Sequence, residues 1–188
     1  MSPNKDMKTL SYQDILNFWF HEVDKAFWWK KDIQFDQLIR DRFTNTHRQA
    51  NAGELHHWRT SAHGRLAEII VLDQFSRNMF RDKPQSFSSD SSALILAQEA
   101  ISLDADTELN ATEKSFLYMP FMHSESLHIH EIAVSLFSQT GLESNLDFEH
   151  KHKVIIEQFG RYPHRNDILG RASTDEEIAF LTKPNSSF

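Results

Sequence analysis

Cysteine is absent from the 188-residue chain. That removes disulfides, thiolate nucleophiles and Cys-ligated zinc or iron–sulfur centres. Glycine and proline are scarce, five of each, too few for a Gly-rich phosphate loop or the many turns of a β-rich chain. No apolar run approaches the roughly 18 residues of a membrane span. The opening stretch to Leu10 has no apolar core of the signal-peptide kind. Positive charge is short as well: the net charge of −7 opposes non-specific binding to nucleic acid, which runs on phosphate neutralisation. These absences predict a cytoplasmic protein with no cofactor, no metal, and neither nucleic acid nor membrane as partner.

What is present reads as one globular unit. Hydrophobic residues make up 39% and charged residues 25%, close to globular averages. A single all-helical domain is expected over residues 10–182, with flexible tips at 1–9 and 183–188. Ser11 can cap a helix to about Phe20, and a second runs from about Asp32 to Asn51 before Gly53. Its apolar stripe includes Phe35, Leu38, Ile39 and Phe43. A third spans about Ser61 to Phe75, and Ser89 or Asp90 caps a fourth. Asn110 with Glu113 opens a helix expected to stop near Pro120. Further helices are expected over 125–140 and 145–159, and Ser173 with Glu176 caps the last, Thr174 to Leu181.

Short connections imply an all-α fold of antiparallel helical hairpins. The segment Ala93 to Asp106 reads like the second helix of a tetratricopeptide repeat. No full 34-residue period (~34 for this repeat class) recurs, so a regular array is not expected. The aromatics Phe18, Trp19, Phe27, Trp28, Trp29 and Trp58 read as core.

Several polar residues stand where apolar ones belong. The stripe Ala62, Leu66, Ile69, Ile70 continues into Asp73, Gln74 and Arg77. Asp73 and Arg77, at i and i+4, can pair. His152 interrupts the stripe Phe148, Ile155, Ile156, Phe159. Stepping back from Ile129 reaches Glu125, just after His123. The stretch Phe159 to Arg171 carries Arg161, His164, Arg165, Asn166 and Arg171 between Gly160, Pro163 and Gly170. Because burying an unpaired charge is costly, these groups should find one another. The expectation is a shared buried Arg/His/Asp pocket lined by Asp73, Arg77, Asn78, His123, Glu125, His152, Arg161, His164, Arg165 and Arg171.

Blander readings apply to each group alone. An Asp–Arg pair can simply tie two helices, a histidine on an apolar face can be a satisfied core residue, and an Arg-rich loop can cap helix ends. Glu125-x-x-His128 and Glu149-x-x-His152 have the spacing of di-iron helical bundles, but with 11 histidines in the chain a chance match is expected. His56, His57, His130 and His150 read as surface or capping residues.

The motifs LDQFSRNMF, MPFMHSE and FGRYPHRNDILGRASTDEE closely resemble the bacterial family known as domain of unknown function nine hundred and twenty-four. The similarity runs over about residues 10–182. It implies a helical fold of the tetratricopeptide-like superfamily, a right-handed superhelix without regular repeats, and brings no activity with it. The family's motif residues fall on Asp73, Gln74, Arg77, Asn78, His123, Ser124, Glu125, His152, Arg161, His164, Arg165, Asn166, Gly170 and Arg171. Ser76 departs from the proline usual there.

Three functions are compatible with these residues. The first is a pocket for an anionic small molecule or acidic group, with Arg77, Asn78, Arg161, Arg165, Asn166 and Arg171 as binding residues. The second is a tetratricopeptide-like module that binds an acidic peptide without catalysis. The third is a hydrolase acting on a phosphorylated or carboxylated small molecule, drawing its acid, base and orienting groups from Asp73, His123, Glu125, His152 and His164.

Overall fold

Five of the helix starts, at Ser11, Asp32, Ser61, Asn110 and Thr174, are set by a short polar side chain that accepts an otherwise orphaned backbone N–H. In the computed structural model, which describes residues 10–184 and 186–187, Ser11 accepts from the Asp14 N–H while Asp14 accepts from the Ser11 N–H. This reciprocal cap opens α1 (Tyr12–Asn17), which widens into a π turn, Phe18–Glu22. Asp32 caps α2 (Ile33–Asn51). Ser61 caps α3 (Ala62–Ile70), which passes through a second π turn, Val71–Phe75, into α4 (Ser76–Met79). There follow α5 (Asp90–Ser102), α6 (Ala111–Met122), α7 (Leu127–Phe137), α8 (Glu143–Phe159) and α9 (Asp175–Leu181). With α3, the π turn and α4 taken as one unbroken rod, the described residues form eight helices and no strand.

The all-α class stands, and several boundaries move. The helix expected to end at Phe75 continues to Met79 because a π turn absorbs one extra residue without breaking the rod. The helix expected to stop near Pro120 runs on to Met122. Proline removes its own bond and crowds the turn before it, but the residues after it still bond back, as His123 N–H does to Met119 O at 3.1 Å. Ser89 precedes α5 without capping it, its hydroxyl donating to Asn51 at 2.8 Å instead. The last cap uses Thr174 and Glu177, one residue later than expected.

One apolar core joins α1 to α7, with Phe18, Trp19, Phe43, Phe75, Phe116, Phe121 and Phe137 as its large members. Trp29 stands outside it, exposed although stacked on Phe116. Leu38 and Phe148, expected on buried stripes, are also exposed. A second, smaller apolar cluster of Ile155, Ile156 and Tyr162, with Phe159 and Phe180, seats the 160–174 segment on α8. Among the described residues no helix is long and apolar enough to cross a membrane.

Candidate functional site

Asp73 sits in the π turn of the α3–α4 rod with its side chain almost wholly buried. Its carboxylate gathers three donors: His123 Nδ1 at 2.7 Å, Gln74 Nε2 at 2.6 Å and Arg77 Nη1 at 3.0 Å. Burial favours the neutral acid, but the charges of Arg77 and His123 and these bonds outweigh it and hold Asp73 well below the usual carboxylate range. Asp73 is therefore an anion and His123 Nδ1 carries the proton between them. Burial, and then Arg77, push the His123 imidazolium down against the pull of Asp73. The ring is neutral at pH 7, and its other nitrogen, Nε2, has no partner among the described residues.

Two guanidiniums enclose this dyad. Arg77 donates from Nη1 and Nη2 to the two oxygens of Asp90, at 3.0 and 3.1 Å, and from Nη1 to the Asp73 carbonyl at 3.0 Å. Arg165 donates from Nη1 to Asp90 at 3.3 Å and from Nη2 to the His123 carbonyl at 3.1 Å. Its guanidinium lies 4.5 Å from the Phe87 ring centre and 4.6 Å from that of Tyr162. Burial, and then the charge of Arg77, weaken its hold on the proton. Its Nε–H is buried with no hydrogen-bond partner among the described residues.

A cleft of about 330 Å³ opens on these groups. Asp90, His123, Ser124, Glu125 and Arg165 form its polar wall, and Pro84, Phe87, Leu94, Pro120 and Leu169 its apolar wall. Glu125 is held by Arg171 at 2.6 and 2.9 Å and accepts the Tyr162 N–H at 2.8 Å. Although burial opposes it, those bonds keep Glu125 ionised below its ordinary range.

Behind the wall stands Tyr162, whose hydroxyl donates to Met122 O at 2.6 Å. His152 and His164 pack on its ring at 5.8 and 5.5 Å between centres. His152 Nδ1 donates to Phe148 O at 2.7 Å. Burial pushes its imidazolium down to about 3 and that of His164, where Arg165 adds repulsion, to about 4. Both rings are neutral at pH 7 and face the interior rather than the cleft lining.

The structure thus brings Asp73, Arg77, His123, Glu125, His152, His164, Arg165 and Arg171 together from four separate stretches of chain. It sets others apart. Asn78 donates to Asp36 at 2.9 Å, beside the Arg81–Asp36 pair at 2.5 and 2.7 Å, and ties α4 to α2. Arg161 pairs with Glu177 at 2.6 and 2.8 Å. Asn166 donates to Ser173 and Glu177. These two anchor the 160–174 segment to α9.

Three residues of the site were not singled out from the sequence. Asp90 was read only as a helix cap, yet it bridges both arginines. Phe87 supplies the ring under Arg165. His130, expected at the surface, is wholly buried, with Nδ1 2.6 Å from Glu149 Oε1 and Nε2 donating to Ser124 O at 2.8 Å. Its position at i−3 and i−7 from the buried Ala133 and Phe137 was the available signal.

A family model described as "Bacterial protein of unknown function (DUF924)" matches residues 15–185. The fold is also similar to the solved structure of a protein of unknown function, ATU0120 from Agrobacterium tumefaciens. The identity is 36%, 90% of this chain and 96% of that one are covered, and the TM-score is 0.86. No curated protein matches.

Proposed function

This chain belongs to the DUF924 family of bacterial proteins of unknown function, and on that footing we propose that its cleft is a small-molecule site in which His123 transfers a proton and Arg165 holds an anionic group. The observation that carries the reading is the Asp73–His123 pair. A buried carboxylate fixes the tautomer, so the bare Nε2 is the nitrogen left for the cleft. This is how a general base is prepared: one nitrogen is committed to an orienting acid and the other is free for the reacting group. Arg165 supports the reading as the one guanidinium among the residues that line the cleft. The apolar side of the cleft suits a ligand with a small hydrocarbon body.

The tetratricopeptide-like superhelix is part of the same proposal. Packing of α5 on α6, α6 on α7 and α7 on α8 supports such a succession. The ligand surface in this reading is the cleft rather than a long peptide groove.

The test is a screen of small carboxylates and phosphate esters by ligand-observed NMR against wild type, His123→Asn and Arg165→Gln. Binders that compete for one site and are weakened at least ten-fold by both substitutions support the site. Equal binding to all three proteins, or none to wild type, removes it. Hits are then incubated with wild type to look for turnover lost in His123→Asn.

A further inference from the structure

The charges around the cleft form a closed set. Three carboxylates, Asp73, Asp90 and Glu125, face three guanidiniums, Arg77, Arg165 and Arg171. Every one of the six is engaged with a partner of opposite sign. His164, on the segment that carries Arg165, and His152, on α8, are neutral at pH 7. The site therefore holds no spare positive charge, although its sequence stretch Phe159 to Arg171 carries three arginines. An anion entering alone would leave one uncompensated negative charge against Phe87, Leu94 and Pro120. Such a charge is unfavourable beside apolar side chains.

The hydrogen-bonding inventory points the same way. Unengaged on the polar wall are an acceptor, the lone pair of His123 Nε2, and a donor, the Ser124 hydroxyl, which accepts the Ser126 N–H and gives its own proton to no described residue. A carboxylate offers acceptors only, so it would set a lone pair against Nε2. A carboxylic acid offers one hydroxyl donor and one carbonyl acceptor, matching both. The same complement arises when a carboxylate meets a protonated imidazole.

We infer, on the basis of the proposed site, that its ligand is a singly charged small acid taken up together with one proton, which comes to rest between the ligand and His123 Nε2. The balance is simple: carboxylate plus one proton from solvent plus neutral His123 gives a neutral assembly, and no other bond forms or breaks. A dianion such as a phosphate ester above its second ionisation would still leave one negative charge after His123 is protonated. The class of ligand is thus a monocarboxylic acid with a compact apolar body, not a dianionic phosphate ester.

Isothermal titration calorimetry of the full chain at pH 7.5 tests this, with acetate, butyrate and benzoate as monoanions and phenyl phosphate as the dianion of matched shape. Buffers of different ionisation enthalpy report the protons exchanged. Uptake of about one proton per bound monocarboxylate is expected, with affinity falling about ten-fold per pH unit from pH 7 to 9. Phenyl phosphate is expected to bind at least ten-fold more weakly than benzoate at pH 8. Binding without proton uptake, or a preference for phenyl phosphate, overturns the inference and leaves the anion site standing. Binding by none of the four overturns both. His123→Gln, if its thermal melt shows a folded protein, is expected to abolish the proton uptake. Nitrogen NMR of wild-type His123 reads the same event without substitution: Nε2 must move from the bare shift toward a hydrogen-bonded or protonated one on saturation with benzoate, and an unmoved shift refutes the proposal.

Discussion

His130 and Glu149, neither with any exposed side-chain surface, meet at 2.6 Å between Nδ1 and Oε1. His130 Nε2 must carry a proton, because it faces the Ser124 carbonyl. The short contact to Glu149 needs a second proton, so the pair holds two. Burial raises the Glu149 carboxyl above its ordinary range, which favours the protonated acid donating to a neutral ring. Its other oxygen, Oε2, has no partner among the described residues.

Glu149→Gln should therefore be tolerated, since an amide N–H can replace the acid O–H at Nδ1. A loss within about 1 kcal/mol is expected. Glu149→Ala, which strands the ring, should cost about 3 kcal/mol or more. Urea denaturation of the two variants distinguishes this from a full ion pair, in which Gln and Ala would be similarly damaging.

Asp73→Asn removes the counter-charge that faces both Arg77 and His123, and sets an amide donor against Gln74. A loss of about 2–4 kcal/mol is expected. In an NMR titration the His123 ring should protonate at lower pH than in wild type, because the carboxylate that favours its charged form is gone. An unchanged or higher midpoint would contradict the orienting role of Asp73.

Two buried histidines predict acid lability well before the carboxylates titrate. The folded pKa of His152 lies at about 3, below the ordinary value of 6.5, and that of His164 at about 4. The unfolded chain thus binds more protons in that window. Stability is full above pH 6.5 and falls as pH is lowered from there by about 1.4 kcal/mol per unit for each histidine, down to about pH 4 for His164 and about pH 3 for His152. His152→Gln should flatten the wild-type slope between pH 6 and 4 by that amount. Equal slopes in wild type and variant would show that His152 is not held neutral.

How much of this was legible in the sequence depends on the periodicity each residue obeys. Asp73, Gln74 and Arg77 lie on a continued apolar stripe, so their burial and the Asp73–Arg77 pairing could be read directly. Asp90 could not, because a carboxylate at a helix start has a sufficient local explanation. Its partners Arg77 and Arg165 are 13 and 75 residues away. His130 was not legible because a histidine beside Ile129 has a sufficient surface explanation, although the most deeply buried face of α7 is His130, Ala133 and Phe137. Charge cancellation across the cleft was invisible too. It is a property of the assembled set, whereas a local run of three arginines suggests the opposite.

Gly64 has a steric role the sequence did not announce. A Cβ there would collide with the carbonyl oxygen of Trp58, part of the rigid turn before α3. Gly64→Ala should cost about 3 kcal/mol or more. At Gly53, where φ is +70° and nothing crowds a Cβ, Asn should be accepted within about 1 kcal/mol. Paired melting curves check the contrast.

Glu125→Gln keeps the shape of the link to Arg171 and Tyr162 but removes its charge. The 160–174 segment should then exchange its amide hydrogens faster, starting with Tyr162, while the protection of α2 and α3 is unchanged. Uniform loss of protection would mean that the segment and the main core unfold as one unit.

The π turn at Val71–Phe75 makes the rod that carries Asp73 unusually intolerant of shortening. Deleting one residue within it would let the backbone relax into a continuous α-helix and would favour the rod by itself. Everything beyond the deletion would then swing by about 100° around the helix axis. Arg77 would turn away from Asp90, and Asn78 and Arg81 from Asp36. The extra residue is a phase shift, and two ion-pair networks, one on Asp90 and one on Asp36, are keyed to it.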